Sequence, residues 1–159
     1  MPNITLPDGS VRSFDNSITG FQLASDIGPG LAKAALIMLV DDIELDLEHE
    51  ITNDSKVAFI TRSDELALPL IRHDCAHVMA AAVQELFPET QVTIGPSIEN
   101  GFYYDFYRQT PFSQDDLGKI EERMHELVER DDKIQREVWD RGHAIDHYKG
   151  IDEPFKVEL

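Results

Sequence analysis

The sequence predicts an α+β protein in two parts, small strands around one short helix in residues 1–62 and a mixture of helices and strands in residues 63–159. Three observations carry this. Apolar residues before residue 62 alternate or run in short blocks, the spacing from about Leu68 suits helices, and Gly, Pro and Asn mark the joints.

In the first part, Asn3 to Leu6 and Val11 to Phe14 flank Pro7-Asp8-Gly9-Ser10. Proline presets the turn there and glycine tolerates positive φ, so the pair reads as a hairpin. Thr19 is an N-cap, with Gln22 completing a capping box, and Leu23, Ala24 and Ile27 form an apolar face before Gly28-Pro29 ends the helix. Leu36 to Val40 is a continuous apolar run typical of a buried strand. Ile43, Leu45 and Leu47 alternate with Glu44 and Asp46, and Val57 to Ile60 adds another strand. The order β-β-α-β-β-β is a ubiquitin-like β-grasp pattern.

The polar stretch Thr61 to Glu65 puts the domain boundary near residue 62. Leu68 to Leu86 then suits a helix that Pro88 ends. Gln91 to Ile94 and Gly101 to Tyr107 read as strands around Gly95-Pro96 and Asn100-Gly101. Ser113 caps a helix whose buried stripe is Leu117, Ile120, Met124, Leu127 and Val128, with Asp115 and Asp116 complementing its first turn. Lys133 to Trp139 is expected to be a strand, and Phe155 to Leu159 to begin another. The chain contains no internal repeat.

Composition narrows the functional classes. With 31 acidic against 14 basic side chains, a formal net charge of -17 and 42% hydrophobic residues, the 159-residue chain is a globular protein of one ordinary or two small domains. Both parts are acidic, so a broad basic surface for a nucleic acid backbone is excluded and any RNA contact must be local. The longest apolar run, Ala34 to Val40, is far short of the roughly 20 residues that a membrane-spanning helix needs. The N-terminus does not read as a secretory or transit signal, and the expected location is the cytoplasm. Cys75 is the only cysteine, which forbids an internal disulfide and any zinc site built from several thiolates of this chain.

His73 and His77 stand four apart, so on a helix both imidazoles project from one face about a turn apart. Such a pair can hold a metal or a water, though His143 and His147 share the spacing. Asp74 in the Glu position of an H-E-x-x-H pattern gives a zinc-hydrolase alternative, but the sequence continues into an extended Gly-Pro-aromatic segment rather than toward a third ligand. Cys75 reads as a small buried helix residue, and His49, His125, His143 and His147 as surface residues.

The segment Thr93-Ile94-Gly95-Pro96-Ser97-Ile98-Glu99-Asn100-Gly101-Phe102-Tyr103-Tyr104-Asp105-Phe106 adds the decisive pattern. Together with Leu6-Pro7-Asp8-Gly9-Ser10, Pro29-Gly30-Leu31-Ala32-Lys33-Ala34-Ala35 and the two-histidine helix, it resembles the N-terminal region of threonyl-tRNA synthetase over essentially the whole chain. The resemblance implies a TGS domain of β-grasp fold at 1–62 and, at 63–159, the first part of an editing domain of the threonyl/alanyl-tRNA synthetase type. It implies hydrolysis of seryl-tRNA made in error, because a pocket for threonine rejects the smaller serine only weakly and a second site must clear the mistakes.

By motif, His73 and His77 take the positions of the family's helix histidines and Lys156 that of its active-site lysine, while Tyr104 and Gly95 belong to the substrate pocket. The implied roles are water positioning or proton relay for His73, electrostatic support near the ester or terminal ribose for Lys156, and shaping of the pocket for Tyr104. The family's further Cys-x-x-x-His pair is not in this chain, and two imidazoles are too few for a firm zinc site, so no firmly bound cofactor is expected. The parent enzyme's ATP, magnesium and zinc belong to its catalytic domain, and its homodimer contact to other domains; the implied partner is the acceptor end of tRNA. A strand edge left open around Phe155 and Val157 invites self-association. The alternative to catalysis is a TGS-containing RNA or protein binding module.

Overall fold

The computed structural model describes residues 1–132 and 136–158, and the chain divides into two units, 1–68 and 69–159. In the first, β1 (Asn3–Thr5) and β2 (Val11–Ser13) pair antiparallel. Their connection closes as the residues require: Gly9 takes a φ of 83°, and the Asp8 carboxylate accepts from the Ser10 amide at 2.9 Å and its hydroxyl at 2.6 Å. After β3 (Ile18–Thr19) comes α1 (Gly20–Ile27). The Gln22 amide donates to Thr19 Oγ1 at 3.2 Å and the Thr19 amide to Gln22 Oε1 at 3.0 Å, the reciprocal capping box expected from the sequence.

Pro29 then opens a short second helix, α2 (Pro29–Ala34), since its fixed φ and missing N–H suit a first helical turn. β4 (Ala35–Val40) turns at Asp41 and Asp42, both left-handed, into β5 (Ile43–Leu45). β6 (Glu50–Ile51) pairs with β3, and β7 (Ser55–Thr61) closes the unit. The main sheet has the order β2-β1-β7-β4-β5. β1 and β7 are parallel and the other neighbours antiparallel, so the sheet is mixed, as in the β-grasp fold. Ile4, Leu23, Met38 and Val57 are fully buried at its centre, joined by Ile18 and Ile51. The β3–β6 ladder was not foreseen: two residues per strand show no period.

The second unit is organised by α3 (Ala67–Leu86). The expected strands Gln91–Ile94 and Gly101–Tyr107 are instead four short ones. β8 (Gln91–Val92) pairs with β11 (Phe106–Tyr107), and β9 (Ser97–Ile98) with β10 (Gly101–Phe102). Pro96 cannot donate to a ladder, which separates the two pairings. α4 (Gln114–Arg130) starts at Ser113, whose amide and hydroxyl both donate to Asp116, holding that carboxyl down at about 2. Ile120 packs with Ala82 and Val83, and Met124, Leu127, Phe87, Phe106 and Phe112 close around them. Leu117 and Val128, expected in the buried stripe, are 52% and 64% exposed: the helix buries a narrower strip than its apolar residues cover.

Two strand expectations fail. Arg136 to Trp139 has no regular structure, while Lys133 to Gln135 lie outside the described residues. Asp140 then caps α5 (Arg141–Gly150) by accepting the His143 amide at 3.0 Å. The segment from Phe155 is also not a strand, for Pro154–Glu158 forms α6, and Leu159 lies outside the described residues. Pro154 supplies a helix start, and the Glu153 carbonyl accepts from the Lys156 amide at 3.1 Å. Phe155 and Val157 are half-buried residues of a helix, so the open strand edge expected to drive self-association does not exist there.

Replacing Thr19 with Ala removes one half of the capping box and orphans the Gln22 amide. The expected cost is about 1 kcal/mol of unfolding free energy in a urea titration, with an unchanged slope.

Candidate functional site

One face of α3 buries Ala76, Ala80 and Val83, and another presents His73 and His77. The helix repeat brings the imidazoles together: Nε2 to Nε2 is 3.0 Å, and the rings meet edge-on with centroids 4.5 Å apart. Such a bond needs one ring to donate N–H and the other to offer a lone pair, so it survives only while at least one imidazole is neutral. Arg72, next to the pair, donates to the carbonyls of Ile98 at 3.2 Å and Glu99 at 2.6 Å, fastening α3 to the β9–β10 hairpin.

His77 holds its proton less tightly than an ordinary histidine. Desolvation on one side of an otherwise open ring is the largest cause, the charge of His73 adds to it, Asp74 opposes, and the Lys156 ammonium adds again. At neutral pH this favours the free base at His77, the form the pair needs.

Lys156 reaches the same place from α6. Its Nζ donates to the Thr93 carbonyl at 2.7 Å, and with His77, Gln84, Tyr104, Tyr148 and Glu153 it lines a cleft of about 350 Å³. The helical rather than extended backbone around Lys156 alters how the residue arrives but still brings its side chain to the cleft.

Tyr104 stacks on Phe106, centroids 5.1 Å apart and planes 22° from parallel. Its hydroxyl is pushed above the usual tyrosine range by burial and then by the negative charge of Glu153, so it remains a hydrogen-bond donor across the physiological range. Gly95 acts through this ring. A Cβ at Gly95 would sit 2.0 Å from Tyr104 Cδ2, so only glycine lets the ring lie against that backbone; Gly95 itself does not line the cleft.

Sequence reasoning missed Gln84 and Glu153. Gln84 follows His77 by seven residues, two helical turns along the same face of α3, and that period was available to be read. Its amide donates to Glu153 Oε1 at 2.7 Å. Nothing in Asp152-Glu153-Pro154 marks a site.

Among the described residues no three His, Cys, Asp or Glu side chains gather to hold a metal, and His73 and His77 bond to each other. Cys75 is half-buried, and His49 and His125 are exposed. His143 and His147 are exposed on α5, where His143 stacks on Trp139 at 4.5 Å and His147 meets it edge-on at 4.8 Å. No helix among the described residues is long and apolar enough to cross a membrane.

Comparison with known proteins agrees with the fold. Residues 2–61 match the TGS domain family. All 159 residues align with threonine-tRNA ligases: 58% identical to that of Granulibacter bethesdensis, and 59% to those of Gluconacetobacter diazotrophicus and Rhodospirillum rubrum. The chain spans about a quarter of the length of these relatives, 25% in each case.

Two outcomes follow from the geometry. In an NMR titration of the imidazoles, His77 has its midpoint below 6.5, Lys156→Met moves it up, and Asp74→Asn moves it further down. Since the folded state binds its proton less tightly than the unfolded chain, this group's stabilisation is complete above about 6.5 and fades as pH falls toward the folded midpoint. Gly95→Ala displaces the Tyr104 ring and lowers unfolding free energy by roughly 1–3 kcal/mol, read by denaturant titration.

Proposed function

We propose that this chain, which carries a TGS domain and aligns along its whole length with threonine-tRNA ligases, is the amino-terminal part of such an enzyme and holds part of a hydrolytic site for seryl-tRNA. The observation that supports this best is the shared cleft: His77 lines the same space as Lys156 and Tyr104, and His73, which does not line it, is bonded to His77 at 3.0 Å.

Ester hydrolysis needs a positioned water, a group to take its proton, and a donor facing the oxyanion that develops. The histidine pair suits the first two. With His77 favouring its neutral form, one imidazole accepts the proton of an attacking water while the pair's own N–H···N bond orients the rings and spreads the charge. The water oxygen bonds to the ester carbonyl carbon, the carbonyl oxygen gains the charge, and collapse breaks the bond to the ribose oxygen, which leaves with the relayed proton. Free serine and tRNA are the products.

Lys156 suits the third need. One of its N–H groups is spent on the Thr93 carbonyl, which fixes the side chain and leaves two donors for the carbonyl or ribose oxygens. Tyr104, neutral and backed by Phe106, supplies a flat wall with one further donor. The acidity of the chain argues that tRNA is gripped locally at its acceptor end rather than along its backbone.

The test is deacylation of seryl-tRNA by this chain and by a longer one continuing through the following quarter of a threonine-tRNA ligase. Hydrolysis is expected in the longer form, with His73→Ala and Lys156→Ala each lowering its rate by about 10²-fold or more. tRNA binding without hydrolysis in either form would replace the catalytic reading with that of a binding module.

A further inference from the structure

We infer that Glu153 is the acceptor for the cationic α-amino group of the aminoacyl ester, an inference that rests on the ester-binding reading of the cleft. Glu153 is 9% exposed, yet it lines the same cleft as His77, Tyr104 and Lys156. Its two oxygens differ. Oε1 accepts the Gln84 amide at 2.7 Å, whereas Oε2 is buried and no group among the described residues donates to it.

A buried carboxylate left half-satisfied is costly and is kept where something else completes it. The cation that lines the same cleft does not. Lys156 stands three residues further on and lines the same cleft, but its Nζ is committed to the Thr93 carbonyl, and Glu153 makes no ion pair among the described residues. Among the described residues that line this cleft Glu153 is also the only carboxylate, and alanines, Val92, Ile151 and two tyrosines make up much of the wall.

The missing partner is therefore a cation that arrives with the ligand. An aminoacyl ester carries one, a primary amine on the carbon next to the reacting carbonyl, and a buried carboxylate beside that amine favours its protonated form. Lys156 and Glu153 would then read two ends of one small group, the lysine its carbonyl or ribose oxygens and the glutamate its amine.

The experiment uses the intact 159-residue chain and two compounds that cannot be hydrolysed as esters: the seryl and N-acetylseryl amides of 3′-amino-3′-deoxyadenosine. Calorimetric titration is expected to show the free amine binding about tenfold or more tightly than the acetylated compound, as befits a charge-assisted bond. Glu153→Gln keeps a partner for Gln84 and is expected to bring the two affinities within about twofold of each other. His77→Ala is expected to weaken both compounds and leave their ratio intact. Equal binding by the unmodified chain overturns the inference without any variant having to fold. A preference that survives in Glu153→Gln overturns it as well, and in both cases the reading of the cleft stands. Binding of neither compound, by this chain or by the longer one, removes that reading and the inference together.

Discussion

The bond from Lys156 Nζ to the Thr93 carbonyl holds the second unit's site together. The side chains of interest come from three stretches of chain: α3, the Gly95–Phe106 segment and α6. Helical repeat alone joins His73 to His77, and stacking joins Tyr104 to Phe106, but both are local. The lysine bond spans 63 residues and brings a helix of only five residues against β8 and its neighbours. A helix that short has little stability of its own. Its tertiary anchors, Lys156 on Thr93 and Gln84 on Glu153, are what fix a cation and an anion along one cleft.

The electrostatics of that cleft depart from those of the chain. At a net charge of -17 the molecule is strongly acidic, yet around His77 the nearby charges of His73 and Lys156 both disfavour protonation and only Asp74 favours it. Lys156 and Glu153 are three residues apart and do not neutralise each other, because a carbonyl and a side-chain amide take their places. Charges separated in this way stay available to a ligand, whereas a closed ion pair would have spent them on each other.

Much of this was legible in the sequence wherever the governing interaction is local. Thr19 with Gln22, the Pro7-Asp8-Gly9-Ser10 turn and the Ser113 cap each depend on residues no more than three or four apart, and all are found as read. The histidine spacing fixed its own geometry in the same way. Phe155-Lys156-Val157-Glu158 misled because four alternating residues fit a strand as well as a turn of helix; Pro154, a helix-start signal, was the clue that decided against the strand. The exposure of Leu117 and Val128 depends on what packs against α4, and the burial of Glu153 on Gln84 sixty-nine residues away, so neither could be read from its neighbours in the chain.

The central claim is that α3 and α6 present their side chains to one ligand-sized space, and a double-mutant cycle tests it most directly. The affinity of the intact chain for the seryl amide of 3′-amino-3′-deoxyadenosine is measured for the unmodified protein, His77→Ala, Lys156→Ala and the double variant. Side chains that share one bound molecule are expected to show a coupling of about 0.5 kcal/mol or more. Losses that add to within about 0.3 kcal/mol would contradict the account, because independent sites behave that way.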